Sequence, residues 1–201
     1  MKKPLFIFIL MCTLSLLSGQ ALQVPVRDTD RNFLLAGTSY YILPAIRGRG
    51  GGVTLATGRD QPCPNDVAQE NNEVSKGLPL NFAPANTSKD GIIRQSTDLN
   101  VKFSGKATTC IDTAVWRVED DLDIGLRIVS SHAILGQPGR ETIRNWFKIE
   151  KYENAYKLVY CPTVCNDCRP YCADIGSTIA KNGRRILVLN NVPLKVMFKK
   201  A

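Results

Sequence analysis

Residues 146–152 read W-F-K-I-E-K-Y, and the period of that run decides the fold class. In an extended chain successive side chains point to opposite faces, so Trp146, Lys148, Glu150 and Tyr152 share one face and Phe147, Ile149 and Lys151 the other. The simplest core assignment uses Phe147 and Ile149 and leaves Trp146 at a strand end or interface. Residues 194–199, L-K-V-M-F-K, alternate likewise, with Leu194, Val196 and Phe198 opposite Lys195, Met197 and Lys199. Such aromatics fill cores far more often than they form ligand platforms.

The same texture continues along the chain. Tyr40–Ile46, Val53–Thr57, Leu80–Ala83, Leu99–Phe103, Val115–Val118, Leu126–Val129, Tyr156–Tyr160 and Ile186–Leu189 are β-branched, aromatic or alternating runs. RGRGGG, GRDQP, SKDG, GQPG and KNG separate them as turn signals. With no long amphipathic helix, this density predicts a closed or stacked all-β fold. No low-complexity linker divides the chain, so residues 22–201 are expected to form one domain.

Residues 1–21 carry Lys2 and Lys3, an apolar run from Leu5 to Leu17, and then small residues, which is the anatomy of a secretory leader. The run is shorter than the roughly 20 residues a membrane span needs. Cleavage is expected after Gly19 or Ala21, and Cys12 leaves with the leader. Six cysteines then remain, an even number suited to an oxidising compartment.

Four of the six fall in C161-P-T-V-C-N-D-C-R-P-Y-C172. The C-x-x-C spacing at Cys165 and Cys168 would also serve zinc or redox chemistry, because a short turn aims two sulfurs at one point. Secretion favours nested disulfides, Cys161 with Cys172 and Cys165 with Cys168, leaving Cys63 and Cys110 to close a long loop. Six cysteines allow 15 connectivities, so the spacing leaves the pairing open.

The formal charge of +8 includes Lys2 and Lys3, so the chain beyond the leader stands at +6. The basic residues are scattered, which reads as a solvated surface, and secretion argues against a nucleic-acid role. His132 is the single histidine. There is no G-x-S-x-G or H-E-x-x-H pattern, and the acidic run V118-E-D-D-L-D123 reads as a solvated loop. Enzymatic activity, cofactor and metal are therefore not expected.

Several motifs, in one order, resemble the plant Kunitz-type inhibitors of the soybean trypsin inhibitor class. They are V26-R-D-T-D30, Y40-Y-I-L-P-A-I-R-G-R-G-G-G52, C63-P-N-D-V-A-Q69, S96-T-D-L-N-V-K-F103, N145-W-F-K-I-E-K-Y152, Y156-K-L-V-Y-C-P162, D174-I-G176 and P193-L-K-V-M-F198. The tandem cysteines 161–172 resemble the miraculin-like branch, which adds a third disulfide. One departure is Arg31, where the signature has Gly or Asp.

The resemblance implies a β-trefoil, twelve strands in three lobes, although no threefold repeat is visible in the sequence. It also implies a Cys63–Cys110 disulfide and bridges within the last cluster. Its function would be inhibition of a secreted or ingested protease, trypsin-like by best match, through a substrate-like loop. A loop held in its bound conformation loses little ordering entropy on binding. The corresponding loop is F82-A-P-A-N-T-S-K-D-G-I-I93, with Lys89 as the residue entering the specificity pocket, Ser88 before it and Asp90 after the scissile bond.

Three features bear on that assignment. Asn86-Thr87-Ser88 is an N-glycosylation sequon three residues before Lys89. Ala36 stands where inhibitory relatives place a bracing asparagine, and alanine has no side-chain hydrogen bond to give. The loop is longer than the family pattern, which leaves the register of Lys89 open. The alternative is a non-inhibitory miraculin-like protein, binding a carbohydrate, a receptor or another protein, or serving in storage. Either would be a secreted monomer of the apoplast or vacuole in a plant defence setting.

Overall fold

The computed structural model describes residues 23–57, 64–105, 114–122 and 124–201. The leader, its cleavage point and the Cys63–Cys110 pairing lie outside the described residues. Twelve strands are formed among them. They are β1 Tyr40–Pro44, β2 Val53–Thr57, β3 Pro64–Gln69, β4 Leu80–Pro84, β5 Leu99–Phe103, β6 Val115–Asp121, β7 Leu126–Ala133, β8 Lys148–Tyr152, β9 Ala155–Tyr160, β10 Ala173–Ile179, β11 Arg185–Asn190 and β12 Val196–Lys200. The one helical element among the described residues is a 3-10 turn, Arg140–Asn145.

All neighbouring strands pair antiparallel. β1 pairs with β4 and β12, β4 with β5, and β9 with β8 and β12. The circuit closes where Leu99 and Phe147 exchange N–H···O bonds of 2.9 Å, joining β5 to the residue before β8. Each successive group of four strands therefore gives two strands to this ring and two to an outer hairpin: β2–β3, β6–β7 and β10–β11. The three hairpins meet through β3, β7 and β11, which pair with one another.

Side-chain alternation explains the interior. Phe147, Ile149, Val196 and Phe198 are all buried, and Leu194 packs against them, as the period-two reading of both runs requires. Trp146 is itself buried, between the 3-10 turn and β8, where its indole N–H donates to Thr142 Oγ1 at 3.1 Å. Phe103, Trp116, Phe147 and Tyr160 form a continuous aromatic chain with centroid spacings of 5.9–6.1 Å. Each such ring contributes on the order of 2 kcal/mol through burial.

Two strands escape a reading by alternation. β3 begins Pro-Asn-Asp, and in β10, A-D-I-G-S-T-I, residues disfavoured in strands, Asp174 and Gly176, flank Ile175 and break the alternation. Pairing with β2 and with β9 and β11 enforces them. The glycine run, expected only as a turn, also lets backbones meet. Gly52 N–H donates to Ser75 O at 2.8 Å, and a Cβ on Gly52 would stand 1.9 Å from Lys76 O.

The amino-terminal arm positions the loop described next. Asp28 folds its segment into a turn by accepting the N–H groups of Asp30 and Asn32 at 2.9 and 2.8 Å. Arg31 sits in that turn at φ 68°, a left-handed conformation open to Gly and tolerated by Asp or Asn. This accounts for the residue types the family signature carries there. The arm then pairs with residues 92–94 through the Pro25–Arg94 and Leu35–Ile92 bridges.

Candidate functional site

Between β4 and β5 the chain leaves the sheet at Pro84 and returns at Leu99, and Ala85 N–H closes the loop on Asp98 O at 2.8 Å. At its tip Ser88, Lys89, Asp90 and Gly91 form a turn with a 3.0 Å bond from Gly91 N–H to Ser88 O. Gly91 has φ 65°, which favours glycine. Lys89 is exposed, and among the described residues nothing engages its ammonium group.

Asp90 is the hub of the turn. Its Oδ1 accepts from Ser88 Oγ at 2.5 Å, Ile92 N–H at 3.0 Å and Arg94 Nη1 at 3.1 Å, while Oδ2 accepts from Arg94 Nη2 at 2.6 Å. Arg94 also donates to Ile92 O at 3.0 Å. The Arg94 guanidinium, then Ser88 and the Ile92 amide, hold the Asp90 carboxyl well below the usual carboxylate range. Asp90 in turn raises the Arg94 pKa. Two-pronged guanidinium–carboxylate pairing fixes orientation as well as distance.

Ala36 contributes backbone in place of a bracing side chain. Its N–H donates to Gly91 O at 2.8 Å, Ile93 N–H donates to Leu34 O at 2.8 Å, and Asn81 Nδ2 secures Gly37 O at 2.9 Å. The support sought at position 36 thus comes from Arg94 within the loop and from the arm beneath it. An aspartate and arginine four apart read in sequence as a helical pair, so this role left no distinctive signal.

Asn86 is exposed and lines a groove of about 280 Å³ with Ala85, Ser96, Thr97, Asp98 and Thr163. Beneath it, Asp98 accepts from Thr163 N–H at 3.1 Å and Thr163 Oγ1 at 2.5 Å. Lys148, on the face opposite Phe147, is buried because its Nζ reaches Thr163 Oγ1 at 3.3 Å and lies 3.8 Å from Asp98.

Other chemistry-bearing residues are engaged in structural contacts. Cys161 is bonded to Cys172 and Cys165 to Cys168, so the C-x-x-C sulfurs near Asp167 are a disulfide and not thiolate ligands. His132 Nε2 lies 2.7 Å from Glu119, and Asp120 takes Arg127 and Arg144, each at 3.0 Å. In the acidic run, Glu119, 3.3 Å from Arg117 Nε, and Asp120 are held in ion pairs, and Asp123 lies outside the described residues.

The all-β scaffold thus holds the Ser88–Gly91 turn through the Asp90–Arg94 pair and the Ala36–Gly91 contact while Lys89 faces solvent. The chain belongs to the plant Kunitz family, described as trypsin and protease inhibitor, whose pattern matches residues 26–200. It is 42% identical to Kunitz trypsin inhibitor 5 of Arabidopsis thaliana over the full length of both chains. It is 41% identical to miraculin of Synsepalum dulcificum, covering 88% of this chain and 83% of that one. Among solved structures, soybean trypsin inhibitor in complex with porcine pancreatic trypsin matches with a TM-score of 0.71 and 32% identity, covering 88% of this chain and 98% of that one.

Proposed function

We propose that the chain is a secreted inhibitor of a trypsin-like serine endopeptidase, with Pro84–Gly91 as its contact loop and Lys89 as the specificity residue. The unpartnered ammonium of Lys89 on the clamped Ser88–Gly91 turn carries this reading. An aspartate at the base of a trypsin-like pocket would pair with that ammonium. The scissile bond would be Lys89–Asp90. Because Arg94 and Ile92 N–H hold the Asp90 side chain, the amine released by cleavage would stay beside the acyl group and religate. The relatives named trypsin inhibitors, and the soybean protein bound to trypsin, support the same class of target.

The ring of six strands and three hairpins is read here as a β-trefoil. The Cys63–Cys110 disulfide, the leader at 1–21, a glycan on Asn86 and a monomeric state belong to the same proposal. Stoichiometric titration of trypsin by the mature protein, with and without its N-glycans, tests the function. Tight inhibition that Lys89→Ala abolishes is expected. Unchanged inhibition in Lys89→Ala would remove the loop assignment. Inhibition that emerges only after deglycosylation would make Asn86 a steric gate.

A second reading, a miraculin-like recognition protein, is favoured by the absence of a bracing side chain at Ala36 and by the sequon beside Lys89. Failure to inhibit trypsin or subtilisin in either glycoform, with binding on a glycan array, would favour it.

A further inference from the structure

A second concave site lies between the β6–β7 hairpin, the 3-10 turn and the disulfide-closed segment 161–172. It is a cleft of about 410 Å³, continuous through Asp120, Arg127 and Tyr171 with a neighbouring one of about 340 Å³. Arg127, Arg140, Arg144 and Arg169 line the larger part against only Asp120 and Asp167, leaving two positive charges in excess. Asp121, in the smaller part, is buried and accepts from Ile124 N–H at 3.4 Å.

The two carboxylates aim the arginines without exhausting them. Asp120 takes Arg127 Nε and Arg144 Nη2, and Asp167 takes Arg140 Nη2. Arg169 Nη1 reaches the carbonyls of Asn166 and Cys168 at 3.5 and 2.9 Å. Each guanidinium has five N–H donors, so most remain for a ligand. The side chains of Arg127, Arg140 and Arg144 stay 43%, 63% and 48% exposed. Beside them Tyr171 is 54% exposed, with the Arg127 guanidinium 4.5 Å from its ring centroid.

We propose that this cleft binds an acidic oligosaccharide, its carboxylate or sulfate groups on the arginines and a sugar face on Tyr171. Guanidinium forks match planar and tetrahedral oxyanions better than a point charge does. A half-exposed phenol offers an apolar ring face and a polar edge together, which suits a pyranose. The size and openness fit a short saccharide lying along the cleft, and the volume is in the usual range for ligand sites. The nested disulfides gain a role here, because Arg169 and Tyr171 are carried by the segment they close. The proposal does not depend on protease inhibition.

Calorimetric titration of the full mature protein tests it, using trigalacturonate, a sulfated heparin disaccharide, neutral maltotriose and hexaglutamate. Binding of either acidic saccharide is expected, weakening as salt rises, and which of the two binds identifies the natural anion. Maltotriose should not bind. The double variant Arg140→Gln/Arg169→Gln should weaken binding about tenfold or more, the loss expected for two charge-assisted contacts. Tyr171→Ala should weaken the saccharides and not hexaglutamate, and trypsin titration should be unchanged in both variants. The proposal is overturned if neither acidic saccharide binds, if maltotriose or hexaglutamate binds as tightly, or if the folded variants bind like the parent.

Discussion

Lys89 can serve a binding loop only if the peptide on either side of it is held, and Arg94 is the residue that holds it. Its bond to Ser88 Oγ at 3.1 Å before Lys89, and its bonds to Asp90 and to Ile92 O after it, tie both sides of the turn to one guanidinium. Arg94→Gln is expected to weaken trypsin inhibition about tenfold or more and to let the Lys89–Asp90 bond be cut and released, since the loop must then be ordered on binding. Inhibition constants and chromatography after prolonged incubation read both effects. The clamp also has a defined pH behaviour. The Asp90 carboxyl is depressed in the folded protein, so its contribution is complete above the ordinary carboxylate value and is lost progressively as pH falls from there through the folded one. Amide resonances of residues 88–92 should therefore stay fixed from neutral pH down to about 4, whereas Asp90→Asn should shift them at neutral pH. Arg31 carries a different consequence. Left-handed backbone costs a non-glycine residue about 1–2 kcal/mol, and glycine's extra chain freedom returns part of that. Arg31→Gly should stabilise by about 1 kcal/mol, raising Tm by ~2–4 °C in calorimetry.

At the scale of the element, strands with a buried alternating face were legible and strands defined by their neighbours were not. Phe147, Ile149, Val196 and Phe198 declare their strands because burial of one face is written in every second residue. β3 and β10 lack that signature, and in β10 Gly176 is required by what lies over it. A Cβ there would meet Asn190 Oδ1 and Val192 O, each at 2.3 Å. One of these is backbone at the end of the β10–β11 hairpin and cannot rotate away. Gly176→Ala should therefore cost about 1–3 kcal/mol, the range for overpacking a close contact, seen as a lower urea midpoint with an unchanged slope. An unchanged midpoint would mean that this hairpin end yields without cost.

At the scale of the whole molecule, the scaffold and the exposed Lys89 could be read from sequence, whereas the devices that hold the loop could not. Arg94, the arm beneath Gly91 and the Asp98–Thr163–Lys148 contacts join residues far apart in the chain through the ring of strands, and no local pattern reports such joins. The arginine cleft is distributed in the same way over three segments. The Cys161–Cys172 bridge touches both regions, since it closes the segment bearing Arg169 and Tyr171 while Thr163, just inside it, holds Asp98. Replacing both cysteines by serine should cost about 3 kcal/mol by loop-closure entropy, or ~6–12 °C in Tm. Trypsin inhibition should change little, because the Asp90–Arg94 clamp and the Ala36–Gly91 contact lie outside the bridged segment and Ala85 still closes on Asp98. Saccharide binding should fall, because the cleft loses a fixed wall. Measuring Tm, trypsin inhibition and trigalacturonate binding on this one variant separates the two faces. If inhibition weakened as much as in Arg94→Gln, the bridge would be a support of the contact loop, and the two sites would be one mechanical unit.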